Sequence, residues 1–401
     1  MTDRTTDLPP ASACSLEQVA TLVSHHLKAL WDAPERARVL PPLMLWGPPG
    51  VGKSAVVRQV CDEQKIGFLD LRLAQREPVD VRGLPVPQDG VVHWMLPGEY
   101  PRDPASRGII LFDELTSADR TMQVAAYEFI LDRRLGDLYE VPPGWYLMAA
   151  GNRTSDRAVA TTMSSALANR FCHLEVHPDL EGWVRWAQRA GVHPDVIAFL
   201  RFRPQLFLNM TGNLERGWPS PRSWERVGLE TELVDRLDAR TFRVVVTGLV
   251  GPGAGLEYIA FRGWRTAMPA VEAMLAGDVP LVVPDQADQR YALCAAVSWH
   301  LWRATKQQKA LGVLFDLVDA LPADFAAMVM VDVINGGTPA QVAAVVTHAR
   351  FAAWGGRHGP TFVDRLAGNA SRMAREVLAS TLSPDFPVRT DLLGIDPKGK
   401  R

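Results

Sequence analysis

The 401-residue chain has little cysteine, little lysine and no long apolar run. Its four cysteines, Cys14, Cys61, Cys172 and Cys294, lie far apart with no CxxC pair. That spacing argues against a disulfide scaffold or a zinc site and suits a reducing cytosol. No uninterrupted apolar stretch reaches the ~18 residues a membrane helix needs, and Met1 to Pro10 lacks the charged-then-apolar order of a signal peptide. The only basic run is Lys398-Gly399-Lys400-Arg401, and 43 basic against 45 acidic residues give a net charge of −2. No whole-chain field therefore draws the protein to nucleic acid or to anionic lipid. A cytoplasmic protein with no membrane segment is expected.

Hydrophobic residues make up 47% and charged residues 22%, the proportions of ordinary globular domains. At roughly 100–200 residues per domain the length predicts two or three domains. Residues 1–14 read as a loose polar end. Ser15-Leu16-Glu17-Gln18 then has the form of a capping box, and Leu16, Val19, Ala20, Val23, Leu27 and Leu30 follow on one helix face. From about residue 41 short apolar runs alternate with helical or looped stretches: Pro42–Trp46, Gly67–Leu73, Ile109–Phe112, Trp145–Ala150 and Phe171–Val176. Near-continuous apolar strands of this kind predict a parallel sheet covered on both faces. Beyond His177 the strand signals fade into helical segments such as Leu180–Ala190, Pro194–Arg201, Ala287–Leu301, Gly312–Ala320, Pro339–Ala353 and Phe362–Leu378. Three regions are expected: an α/β core over residues 1–178, helices over 179–285, and a further helical segment over 286–401.

Gly47-Pro48-Pro49-Gly50-Val51-Gly52-Lys53-Ser54 matches GxxxxGK[ST], between a strand (Leu43–Trp46) and a helix (Ser54–Glu63). Glycines let successive amides turn toward phosphate oxygens, and the helix N-terminus adds partial positive charge. Lys53 would reach the β- and γ-phosphates and Ser54 would ligate Mg²⁺. Average composition produces such a match by chance on the order of once in a hundred chains of this length.

Ile109-Ile110-Leu111-Phe112-Asp113-Glu114 reads as a buried strand delivering two acids to its C-terminal edge, where ligands of open α/β sheets bind. Asp113 would hold Mg²⁺, and Glu114 would polarise the water attacking a γ-phosphate. The Trp145–Ala150 strand ends in Gly151-Asn152, so Asn152 can address that water or the phosphate; Asn after Gly is also a routine turn pair. Arg170 precedes the last strand, and Arg222 stands at a helix start, where a cation is unexpected without an anion nearby. Surface salt bridging is the plain alternative for both arginines.

The ordered set GPPGVGKS, IILFDE, AAGN, ALANRF and SPRSW resembles AAA+ ATPases, more narrowly the MoxR-like branch that includes CbbQ and NorQ type activators. The resemblance covers residues from about 40 to 235. It implies a P-loop αβα sandwich with strand order 5-1-4-3-2 and a helical lid. It also implies that Gly47–Ser54 is Walker A, Asp113 and Glu114 Walker B, Asn152 sensor 1, Arg170 a trans-acting arginine finger and Arg222 sensor 2. ATP and Mg²⁺ are the implied cofactors. A homohexameric ring acting on a client, or on a von Willebrand factor A domain partner, is the implied assembly. In that clade an insertion after the second strand projects toward the ring's pore. Here Arg82–Pro97 carries hairpin signals, with His93, Trp94 and Met95 either meeting a client or, for Trp94, buried against the core.

The chain departs from many MoxR relatives at Leu115-Thr116-Ser117-Ala118-Asp119, where Asn-Arg is usual, and Arg153 and Arg157 compete with Arg170 for the finger role. His173 and His177 read as packing or surface residues, and Trp183 and Trp186, three apart, as core. No Ser-His-Asp or Cys-His hydrolase set is present. Two rival readings are an ATP-driven nucleic-acid translocase or restriction-type subunit, which the low charge and scarce lysine disfavour, and a nucleotide-switched scaffold without turnover, which Glu114 and Asn152 disfavour.

Overall fold

A computed structural model describes residues 13–153, 156, 163–211, 216–265 and 270–381. The chain divides into two compact units, Met1–Asp179 and Leu180–Arg401.

In the first unit, strand β1 (Ala13–Cys14) leads into helix α1 (Leu16–Asp32). Ser15 and Gln18 close a reciprocal capping box, and Val19, Val23, Leu27 and Leu30 are buried along one face. There follow β2 (Leu43–Trp46), α2 (Lys53–Gln64), β3 (Gly67–Arg72), the short α3 (Pro78–Arg82), β4 (Leu84–Gln88) and β5 (Val91–Met95). The unit continues through β6 (Gly108–Asp113), α4 (Arg120–Asp132), a small ribbon of β7 (Arg134–Leu135) and β8 (Tyr139–Glu140), β9 (Trp145–Gly151), α5 (Ser165–Ala168) and β10 (Cys172–Val176).

The main sheet is parallel throughout and runs β1-β10-β2-β9-β6-β3. Counting only the five strands expected from the sequence, its order is 5-1-4-3-2. Its central strands are buried on both faces, Gly108–Phe112 and Trp145–Gly151 without interruption. Such strands show no alternation because helices cover both sides. Two elements correct the sequence reading. Ala13 and Cys14, expected in a loose end, form an edge strand by pairing with Glu175 and Val176. The ribbon β7–β8 had no signal of its own, being two residues a side.

The second unit is helical among its described residues: α6 (Leu180–Ala190), α7 (Pro194–Phe202), α8 (Pro221–Glu232), α9 (Ala239–Val250), α10 (Pro252–Arg265) and α11 (Val271–Ala276). Then come α12 (Ala287–Leu301), α13 (Gln307–Ala320), α14 (Ala323–Gly336), α15 (Pro339–Val346), α16 (Ala349–Asn369) and α17 (Arg372–Thr381). Trp224 and Tyr258 are fully buried in one of its cores, with Trp183 and Trp186 packed against the edge of the same cluster.

Three helix expectations are corrected. The Pro339–Ala353 helix is two, because His348 caps a new helix by accepting a hydrogen bond from the Arg350 amide through Nδ1. The Phe362–Leu378 helix breaks between Asn369 and Arg372. There Asn335 of α14 donates to the Asn369 carbonyl at 2.8 Å and accepts from the Ser371 amide at 2.9 Å, satisfying backbone groups that the break frees. Helix α14 lacks a periodic sequence signal, because Ala326–Asn335 is buried all round and carries no amphipathic period.

Arg201 of α7 ties this unit together. It pairs with Asp332 of α14 through both terminal nitrogens and with Glu181 of α6 at 2.7 Å. Asp332 is only 2% exposed. Replacing Arg201 by Ala leaves that carboxylate uncompensated and should lower stability by about 3–5 kcal/mol. Denaturant unfolding checks this, and an Arg201→Met, Asp332→Leu double variant should recover part of the loss.

Candidate nucleotide site

Four chain segments converge at the C-terminal ends of β2, β6 and β9. In the sheet β9 lies between β2 and β6, so the loop after β2 must pass over the end of β9 to meet β6. Gly47 starts that loop with φ +152°, and a Cβ there would stand 2.7 Å from the Val176 carbonyl oxygen of β10. Backbone and close approach both exclude a larger residue at that point.

Lys53, the first residue of α2, is only 8% exposed. Its ammonium donates to the Gly47 carbonyl (2.6 Å), the Pro48 carbonyl (3.1 Å) and Asn152 Oδ1 (3.0 Å). The Ser54 hydroxyl donates to Asp113 Oδ2 at 2.5 Å. The other oxygen of that carboxylate, Oδ1, accepts from the Glu114 amide at 2.9 Å.

Glu114 adopts φ +55°, a left-handed conformation in which a non-glycine residue is uncommon. Its carboxylate has no hydrogen-bond or ionic partner among the described residues and stays partly exposed. The turn it makes hands the chain to Leu115, whose amide bonds the Ala150 carbonyl of β9 at 3.0 Å.

Thr116 carries no sequence signal of its own. It is 2% exposed, its Oγ1 accepts from the Asn152 amide at 3.0 Å and donates to the Asn152 carbonyl at 3.1 Å. Gly151 makes room: a Cβ there would lie 2.7 Å from Thr116 Oγ1. Asn152 is therefore held through its backbone by Thr116, which leaves its side chain facing Lys53. Thr116 occupies the stretch that looked only like a departure from the usual pattern, and no spacing rule points to it.

The competing arginines separate by their partners. Arg153 binds Asp156 at 3.2 Å and Glu175 at 2.8 Å, so its guanidinium is engaged within its own subunit, which removes it as a free cation. Arg157 lies outside the described residues. Arg170 is exposed and pairs with no carboxylate among the described residues. Arg222, in the second unit, is exposed in the first turn of α8, again with no such pair. Among the described residues the salt-bridge alternative for Arg170 and Arg222 finds no support.

The 82–97 segment forms the expected hairpin, closed by Asp89 and Gly90 with φ of +52° and +79°, a two-residue turn of the type that favours Asp-Gly. Trp94 is 44% exposed and not buried against the core; Val92 and Met95 are 59% and 64% exposed. Burial pushes the Cys61 thiol up to about 12 and raises that of Cys294 as well.

Strand order, phosphate loop and acidic strand end define a P-loop nucleoside-triphosphatase fold. Residues 43–125, about a fifth of the chain, match the family described as ATPase family associated with various cellular activities (AAA). Comparison with curated proteins finds no match. Among solved structures, the chain is similar to the RuvB Holliday junction branch migration motor of Thermotoga maritima. That match has 15% identity and TM-score 0.34, over 75% of this chain and 87% of that one. It is also similar to NtrX of Brucella abortus in complex with ADP, with 15% identity and TM-score 0.33, over 83% of this chain and 68% of that one. The fold follows from strand order and site geometry, independently of these two distant likenesses.

A Thr116→Val variant keeps the side chain's shape and removes both hydrogen bonds to Asn152. Leaving buried backbone groups unpaired costs about 1–3 kcal/mol. If Asn152 acts on the reacting phosphate or water, turnover of ATP should fall about tenfold or more while nucleotide affinity changes little, as read by steady-state assay and calorimetry.

Proposed function

We propose that this chain is a Mg²⁺-dependent ATPase of the MoxR-like AAA+ type, acting as a homohexameric ring in the cytoplasm to remodel or activate a partner protein, with von Willebrand factor A domain proteins as the partner class. The observation that carries the ATPase reading is the meeting of Ser54 and Asp113 at 2.5 Å under the glycine-rich loop, with Lys53 and Asn152 beside them.

The donor set fits magnesium: a hydroxyl and a carboxylate supply two hard oxygens, and such ions usually take one or two protein ligands with phosphate and water completing the shell. When bound, Mg²⁺ neutralises charge on the β- and γ-phosphates. The residues do the rest. The loop amides and Lys53 hold the triphosphate, exchanging the lysine's carbonyl partners for phosphate oxygens. Glu114, whose carboxylate is uncommitted, orients and polarises the attacking water, and Asn152 fixes that water or the γ-phosphate.

Arg170 supports assembly. An exposed arginine beside the last strand, with no carboxylate partner among the described residues, has the character of a finger that serves a neighbour's site, a role worth about 10³–10⁵ in rate in the GTPase precedent. Arg222 is assigned to phosphate sensing on the resemblance, and the lack of a carboxylate partner among the described residues agrees with that role. The exposed apolar residues of the β4–β5 hairpin suit contact with a partner protein.

Lys53→Ala should abolish nucleotide binding in calorimetry. Glu114→Gln should keep binding and lose turnover; hydrolysis at the parental rate would exclude Glu114 as the water-orienting group. Turnover stimulated by DNA and weakening steeply with salt would instead favour a nucleic-acid machine.

A further inference from the structure

We infer that His173 is a positioning residue for Arg170: it locks the turn that carries the arginine to the strand end that opens the phosphate loop, so that one subunit's nucleotide loop and the finger it offers to its neighbour are set by the same side chain. This inference rests on the trans-finger reading of Arg170.

The turn is defined by its backbone. The Phe171 amide bonds the Ala168 carbonyl at 3.2 Å, which places Asn169 and Arg170 at the two central positions. Leu167 and Phe171 on either side are buried, while Arg170 is exposed. The arginine thus stands on a short turn anchored by core residues at both ends.

His173 adds the remaining constraint. Its Nδ1 lies 2.8 Å from Trp46 Nε1, and its Nε2 lies 2.8 Å from the Ala168 carbonyl oxygen. An indole N–H can only donate, so Nδ1 must accept. The ring proton then sits on Nε2 and is donated to Ala168. One neutral tautomer satisfies both partners, and the rings of His173 and Trp46 lie nearly parallel, 20° apart.

Sheet register explains the meeting. Trp46 is opposite Glu175 across the β2–β10 pair, and residues two apart on a strand share a face, so His173 is its diagonal neighbour. Trp46 is the last residue before Gly47. Any shift of the phosphate loop's first residue is therefore carried to the Ala168 carbonyl through two hydrogen bonds and one rigid ring.

A residue acting this way has a defect with a direction. A His173→Phe subunit keeps its own phosphate loop, Glu114 and Asn152, and offers a misplaced finger. A displacement of about 1 Å costs a positioned group about 10²-fold in rate. In homogeneous rings His173→Phe should therefore bind ATP like the parent and turn over about 10²-fold more slowly. Mixed with Glu114→Gln subunits, which hydrolyse nothing and carry an intact Arg170, the His173→Phe sites should regain turnover. His173→Gln should stay near the parental rate, since its amide can accept from Trp46 and donate to Ala168.

Arg170→Ala mixed with Glu114→Gln is run alongside. If Arg170→Ala recovers and His173→Phe does not, the defect is in its own site and the inference about His173 is overturned by itself. If neither recovers, the trans-finger reading has failed and takes this inference with it. Parental turnover of His173→Phe alone also overturns it. Should His173→Phe not fold, Trp46→Phe removes one of the two hydrogen bonds and is read in the same mixing assay, with the same outcomes.

Discussion

The contact between Ser54 and Asp113 sets the terms for the rest of the first unit. Ser54 stands at the start of the helix that follows β2 and Asp113 ends β6, two strands that are not neighbours because β9 runs between them. A helix start on one side and a strand end on the other can meet only if the chain crosses the tip of β9 closely. Gly47 and Gly151 allow that crossing by having no side chain where Val176, Thr116 and Met44 press in. Every other member of the site takes its place from the same crossing. Asn152 leaves β9 directly beneath the loop, and Thr116 follows β6 over the same strand to hold it.

The charges are arranged with the same economy. Lys53 is buried and donates to two carbonyls and to the Asn152 amide oxygen. An arriving polyphosphate offers that ammonium anionic oxygens in place of those neutral acceptors. On the opposite wall Glu114 sits in a left-handed backbone conformation that costs of order 1–3 kcal/mol, strain of a kind found where surrounding structure fixes a residue for function. Arg153 is drawn onto Asp156 and Glu175, and Arg170 is left facing solvent. In the second unit the polarity is instead enclosed: Arg201, Asp332 and Glu181 satisfy one another among apolar helices.

Legibility in the sequence followed the distance over which each feature is encoded. The phosphate loop lies within eight consecutive residues, the acidic strand end within six, and the Asp89-Gly90 turn within two, so each was readable from local chemistry. The central strands β6 and β9 were readable because burial on both faces writes an unbroken apolar run. The two-residue strand at Ala13–Cys14 was not, since its only signal is the edge of β10 that it joins. The break after Asn369 has a local signal in Gly368-Asn369, but the group that satisfies its freed backbone, Asn335, lies far away in the chain.

Composition and motif thus carried the class of fold and the residues able to hold a triphosphate, because these depend on contiguous residues and on periodicity; the order of the strands was implied only by the family resemblance. That Arg153 is engaged by Asp156 and Glu175, why Asn152 faces Lys53, and that His173 joins Trp46 to the Arg170 turn were decided only by tertiary structure. Those relations are set by hydrogen-bond partners brought together in the folded chain, and a partner far along the chain leaves no mark on the sequence beside it.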